Sequence, residues 1–274
     1  MSGDRTTGVA RIQRAFDLAR ARGSCALMPF ITAGYPDLGT TERLLRELPD
    51  AGADLVEIGI PFSDPIADGP VIAESMHKAL LGGTTPEAVL ECVARARPAI
   101  PVLAMVSVSI VERMGVGDFF RRCAAAGISG VIVPDAGSEF WSEVRSRMDS
   151  DARAALDHLG IVEFVSPTTT RQRIEEIVPR CTGFIYLLAR AGITGERSDA
   201  PEVADRVAAI RSVGAARIAV GFGISTREHV AAVGRHADGA IVGSAIVRKM
   251  TEAAQHGESA AEAALSLVRS LRSG

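Results

Sequence analysis

The chain has 274 residues, 47% of them hydrophobic, with a formal net charge of −3 and a pI near 6.0. That is enough apolar material for one barrel-sized domain or two smaller ones. The charge balance and an aromatic content of 4% argue against the basic, base-stacking surface of a nucleic-acid binder and against a polybasic membrane-surface protein.

The four cysteines (Cys25, Cys92, Cys123 and Cys181) have no CxxC spacing and fit reduced, buried thiols better than a disulfide frame or a zinc site. The N-terminal MSGDRTTGVARIQ is polar, and no apolar run approaches the roughly 20 residues of a membrane span. A cytoplasmic protein is expected.

In chain order, short β-branched runs alternate with longer helical patterns. Strands are expected over Cys25–Thr32, Asp54–Ile60, Pro101–Ser107, Gly130–Pro134, Ile161–Ser166, Gly183–Leu188, Arg217–Gly221 and Gly239–Gly243. Ala/Leu/Arg/Glu-rich segments lie between them, several opening on a capping Ser, Thr or Asp and several closing on Ala-Gly, as at Gly52 and Gly127. The phrases AGADLVEIG, AAGISGVIV and RHADGAIVG each read as helix end, tight turn and buried strand.

Eight such units without a Pro/Ser-rich linker predict an α/β protein: a single (β/α)8 TIM barrel with extra helices, one domain over residues 1–274. A doubly wound sheet is the rival and usually has fewer strands at this length. Two connections are long. FSDPIADGP follows the second strand and leads into an extra helix over Val71–Leu81, and ARAGITGERSDAPEV follows the sixth. Both fall at strand C-terminal ends, where barrel active sites are built. The segment Glu139–His158 is long for one helix, and a break is expected near Asp149–Asp151.

The second strand carries a carboxylate inside an apolar run, VEIGIP. Side chains alternate along a strand, so Leu55, Glu57 and Gly59 share one face and Val56, Ile58 and Ile60 the other. With the branched set against the helices, Glu57 points into the barrel near its C-terminal mouth. Burial there raises a carboxyl pKa, the condition for proton exchange near neutrality. The structural alternative is a Glu paired with a buried cation, but no strand candidate carries Lys, and Arg217 stands at the far end of its strand.

Asp64 and Asp68 lie in SDPIADGP. Turn chemistry accounts for Asp64-Pro65, whereas the loop returns Asp68 toward the strand mouth. Two carboxyl groups at one mouth can divide roles, one titrating and one staying ionised.

VGFGIST ends the seventh strand and IVGSAIV the eighth, each opening a helix. Small residues there expose backbone N–H groups and helix N-termini to an anion, and the loops after strands seven and eight are where barrels commonly hold a substrate phosphate. Gly192 and Gly195 in RAGITG can add donors, and the absence of a GxxxxGKS loop disfavours a nucleoside triphosphate. The five histidines lack ligand spacing and are read as solvated or packing residues.

PFITAGYP, VEIGIPFSDPIADGP, YLLARAGITG, GFGIS and GSAIV occur in this order, and through them nearly the whole chain resembles the tryptophan synthase alpha subunit family. The resemblance implies a (β/α)8 barrel that cleaves indole-3-glycerol phosphate to indole and glyceraldehyde 3-phosphate, without cofactor or metal. It implies Glu57 as the acid/base that protonates indole C3 and helps remove the glycerol hydroxyl proton, and Asp68 as the acid that hydrogen-bonds the indole N–H. Tyr186 would be the tyrosine of the site, Phe30 a wall of the indole pocket and Thr194 the lid residue that orients Asp68. Gly195, Phe222, Gly223, Gly243 and Ser244 would form the phosphate cradle.

The chain departs from the family after the third strand, where Ser107 and Ser109 in MVSVSIV replace an aromatic and an Asn, and after the fourth, where the family's acidic, proline-bearing loop reads VPDAGSEFW, with Asp135 kept and extra residues in the next helix. In the family these loops lie near a PLP-dependent beta subunit, so that partner is where the departure bears. Three other readings stay open: a stand-alone indole-producing lyase, a non-catalytic activator of a beta subunit, and another barrel aldolase or isomerase acting on a phosphorylated sugar. For the last, a Schiff-base mechanism would need a strand lysine.

Overall fold

The structure is a computed structural model and describes residues 6–65, 69–137, 139–189, 203–221 and 223–272. Eight parallel strands close into a barrel in sequence order: β1 (Ala26–Thr32), β2 (Val56–Gly59), β3 (Val102–Met105), β4 (Gly130–Ile132), β5 (Gly160–Val165), β6 (Ile185–Leu188), β7 (Ile218–Gly221) and β8 (Gly239–Val242), with β8 paired back onto β1. The helices are α1 (Gly8–Ala21), α2 (Leu38–Glu47), α3 (Pro70–Leu81), α4 (Pro86–Ala96), α5 (Val108–Met114), α6 (Val116–Ala126), α7 (Phe140–Ser146), α8 (Ser150–His158), α9 (Arg171–Ile177), α10 (Ala204–Arg211), α11 (Arg227–Gly234), α12 (Ser244–Gln255) and α13 (Ala260–Arg272). This is the expected (β/α)8 barrel with extra helices.

Strand alternation divides the core in two. Val56, Ile58 and Ile60 join the layer between strands and helices. Leu55, Leu103, Ile132, Val162, Phe184 and Ala219 fill the barrel interior. The N-terminal end of that interior is closed by α1, whose Ile12, Ala15, Phe16 and Ala19 belong to the same inner cluster. Glycines make room for it. A Cβ added at Gly130 or Gly160 would fall 2.9 or 2.6 Å from Ile12 Cδ1, and one at Gly239 would fall 2.9 Å from Phe16 Cε1. Gly130 in AAGISGVIV and Gly239 in RHADGAIVG, with Gly160, are therefore the seats of the plug helix.

Above Phe16 a run of rings rises along the axis. Phe16 meets Phe184 edge-on at 5.6 Å, and Tyr186 lies 6.5 Å from Phe184 and stacks on Phe164 at 4.9 Å.

Local chemistry places the breaks. Between α7 and α8 the chain turns at Asp149, whose side chain accepts from the Ala152 N–H at 2.8 Å and pairs with Arg121 at 3.0 Å. This is the expected break. Two expectations are corrected. The helix read as running to Gly52 stops at Glu47, because Pro49 lacks the N–H needed to continue it; Gly52 instead serves a later turn with φ +100°. The stretch after β3, read as a loop, contains α5. Ser107 caps it by accepting from the Ser109 N–H at 3.2 Å, and the Asp135 carboxylate accepts from the Val108 N–H at 3.0 Å.

Candidate active site

Glu57 sits on β2, paired in register with Phe30 of β1 on one side and Leu103 of β3 on the other. It is fully buried. Strand parity alone predicted this inward position. Its neighbour two residues on, Gly59, is held open by an aromatic ring: a Cβ there would lie 2.6 Å from Phe30 Cζ. The other side of Phe30 rests against β8, where a Cβ on Gly243 would fall 3.5 Å from Phe30 Cβ. Phe30 therefore bridges the strand that carries the buried acid and the start of the candidate anion loop.

Tyr186 is placed by the same device. Its ring occupies the space above Gly221 at the end of β7, where a Cβ would lie 2.5 Å from Tyr186 Oη. Met105, Phe164 and Leu188 pack on the inner cluster but stay partly exposed at the C-terminal end. Among the described residues the mouth is thus an apolar and aromatic cup around the Glu57 carboxyl group, which suits a flat aromatic group that needs a proton delivered to it.

The anion end lies across β7 and β8. Gly223 has φ +78°, a left-handed conformation that favours glycine. Residues 223–226 then lead to Thr226, which caps α11 by accepting from the His229 N–H at 3.3 Å. Gly243 precedes α12, which no side chain caps; Ser244 begins the helix, so its leading N–H groups face the space above the strands. Gly223, Gly243 and Ser244 are half-buried.

One residue escaped sequence reasoning. His229 is buried, and its Nδ1 accepts from the Ser225 N–H at 3.4 Å, bracing the turn after β7. Its place three residues after a Thr cap was the available signal. Asp68, Thr194, Gly195 and Phe222, together with Gly192, lie outside the described residues.

Beside the mouth a cleft of about 430 Å3 is lined by Ile60, Phe62, Asp64, Met105, Ser107 and Asp135, among others. Ser107 Oγ donates to Asp135 Oδ2 at 2.7 Å, which ties the stretch after β3 to the loop after β4.

Burial pushes Cys25 and Cys92 up to about 11 and Cys181 up to about 12, and raises Cys123 as well, so all four are protonated at neutral pH. Among the described residues no group of three or more His, Cys, Asp or Glu side chains is arranged to hold a metal ion. Among them, too, no helix is long and apolar enough to cross a membrane.

A closed parallel barrel with an acid buried at its mouth and small-residue turns after β7 and β8 has the architecture of a barrel enzyme. The family model of the tryptophan synthase alpha chain matches residues 16–274. The tryptophan synthase alpha chain of Acaryochloris marina is 42% identical over 245 residues, covering 88% of this chain and 90% of that one. That of Gloeobacter violaceus is 42% identical over 250 residues, covering 89% and 88%. Among solved structures, tryptophan synthase subunit alpha from Legionella pneumophila superposes with a TM-score of 0.83 at 32% identity, covering 96% of this chain and 97% of that one. A chain of Mycobacterium tuberculosis tryptophan synthase does so with 0.80 at 32%, covering 96% and 99%. The chain belongs to the tryptophan synthase alpha chain family.

Proposed function

We propose that Glu57 is the acid/base of this chain's carbon–carbon lyase reaction, the cleavage of indole-3-glycerol phosphate to indole and glyceraldehyde 3-phosphate. The observation that carries the assignment is its full burial on β2, inside the aromatic cup. The family's reaction is a retro-aldol step, and its balance defines what the side chains must do. A proton is added at indole C3, turning the ring into an electron sink. The proton of the adjacent glycerol hydroxyl is removed as its oxygen becomes the aldehyde carbonyl. The C–C electron pair returns to the ring and restores indole. No atom enters or leaves beyond these proton movements, and one carboxyl group can serve both ends of the transfer.

Phe30 and Tyr186 would hold the ring, with Asp68 accepting from the indole N–H and Thr194 orienting it. Gly195, Phe222, Gly223, Gly243 and Ser244 would bind the phosphate through backbone N–H groups. Fixing the phosphate orients the distant scissile bond, which is where binding energy lowers the barrier.

The chain would work as one barrel domain in the cytoplasm, beside a PLP-dependent beta subunit docked over the rim that bears Asp64, Ser107 and Asp135. The Ser107–Asp135 bond supports an ordered rim in place of the aromatic the family carries there. The test is indole release from indole-3-glycerol phosphate by the purified chain, with and without a beta subunit. Glu57→Gln should lower kcat by about 10²- to 10⁴-fold with substrate affinity nearly kept. Turnover near that of the native chain would remove Glu57 from the role. A rate unmoved by an added beta subunit would leave a stand-alone enzyme.

A further inference from the structure

A second cavity, of about 780 Å3, opens at the opposite end of the barrel, under the N-terminal ends of β2, β3 and β4. Its charge is one-sided. Arg11, Arg14, Arg22 and Arg272 line it together with His158, and the carboxylate that lines it is Asp54. Two of the arginines, Arg11 and Arg14, come from one stripe of α1, which also presents Ala15 and Leu18 to the cavity, and Arg22 follows at its C-cap.

Asp54 is already committed. It accepts from the Leu27 N–H at 2.9 Å and pairs with both Arg22 and Arg272. Arg11 is half-buried and donates only to main-chain carbonyls, to Ile100 O at 3.2 Å, Gly127 O at 3.4 Å and Pro98 O at 3.5 Å. Arg14 is exposed and makes no hydrogen bond or ion pair among the described residues. Several surface arginines elsewhere pair with acids, as in Arg121 with Asp118 and Asp149, Arg147 with Glu112, and Arg171 with Glu175, whereas Arg11 and Arg14, side by side in this cavity, have no acid partner among the described residues.

We propose that this cavity is a binding site for a small phosphorylated anion, distinct from the phosphate loops at the mouth. The volume falls in the range of small-molecule sites, and guanidinium groups match phosphate oxygens two at a time. A phosphate held there neutralises Arg11 and Arg14 without competing for Asp54. Half-exposed Leu18, with Ile100 and Ile128, gives the anion's organic part an apolar floor. The site is remote from the chemistry, so its occupant acts on stability or on the rigidity of the plug helix rather than as substrate.

The experiment titrates inorganic pyrophosphate calorimetrically into the full chain with the mouth saturated by glycerol 3-phosphate, which mimics the three-carbon phosphate product. One further equivalent is expected to bind. Arg14→Glu should weaken it at least tenfold while leaving indole release unchanged. Because Arg14 makes no bond among the described residues, this variant should fold; Arg11→Gln, with circular dichroism to confirm its fold, should weaken binding as well. Phenyl phosphate should bind more tightly than inorganic phosphate. Absence of the further equivalent, or equal affinity in native and Arg14→Glu protein, would overturn the site. Equal affinity for the two monophosphates would remove the apolar floor. The turnover measurement is separate, so failure here leaves the lyase assignment standing, and the reverse holds too.

Discussion

Replacing Gly59 by Ala adds one methyl group where none fits. Gly59 does not adopt a left-handed φ, so the substitution carries no backbone strain of that kind, and its whole effect comes from the side chain. The new Cβ would stand 2.6 Å from Phe30 Cζ and 2.9 Å from its Cε2, with Met76 Cε at 3.3 Å. Carbon atoms pack at about 3.5–4.0 Å, so the ring must retreat by about 1 Å.

Overpacking of this kind costs about 1–3 kcal/mol. At roughly 2–4 °C per kcal/mol for a chain approaching this size, Tm should fall by about 2–12 °C. The displaced ring also moves into the cup, so KM for indole-3-glycerol phosphate should rise. Thermal denaturation and steady-state indole release measure the two effects. Phe30→Leu in the Gly59→Ala background should recover part of the loss, giving a double-mutant cycle with a coupling of about 0.5–3 kcal/mol. A Gly59→Ala protein as stable as the native chain, or a double variant whose costs simply add, would refute the claim that position 59 is kept empty for Phe30.

Other outcomes follow from the same geometry. Phe16→Ala removes the largest side chain of the plug and should cost about 3–5 kcal/mol in urea denaturation, with KM unchanged in the protein that remains folded. His229→Ala frees the turn after β7 and should raise KM by about 2- to 13-fold, the equivalent of a hydrogen bond worth 0.5–1.5 kcal/mol, with a smaller change in kcat. Glu163 faces the outer layer, where burial raises its carboxyl above the usual glutamate value against the lowering effect of Arg180 and Arg173. The folded state therefore favours the protonated acid. Its contribution is fully present below the ordinary glutamate pKa and is lost as pH rises through the folded value. Glu163→Gln should accordingly raise Tm relative to the native chain more at pH 7 than at pH 4, and the opposite ordering would refute the burial argument.

How much of this was legible in the sequence depends on the range of the cause. The strands were legible because parallel barrel strands are buried on both faces and read as apolar runs. Glu57 was legible because a period of two leaves only two faces to choose between. The break at Asp149 was legible because its cap bond spans only three residues. The helix after β3 was not, because half of its capping comes from Asp135, 28 residues beyond Ser107. Nor were the seats of the rings: the reason for Gly59 lies on β1 and the reason for Gly221 on β6, and neither pairing leaves a local trace. The pair Arg11 and Arg14 on α1 shows on a helical projection, but that Asp54 beside them is taken by Arg22 and Arg272 becomes visible only once the start of β2 lies beneath the helix.

The aromatic run from Phe16 through Phe184 to Tyr186 and Phe164 makes the barrel a vessel closed at one end. Nothing the size of a reactant passes along the axis. Substrate, aldehyde and indole must all cross the same C-terminal opening, so the order in which they leave is decided by whatever stands over that rim. An anion held beneath the plug helix could reach the chemistry only as pressure transmitted from ring to ring, never as a molecule in transit.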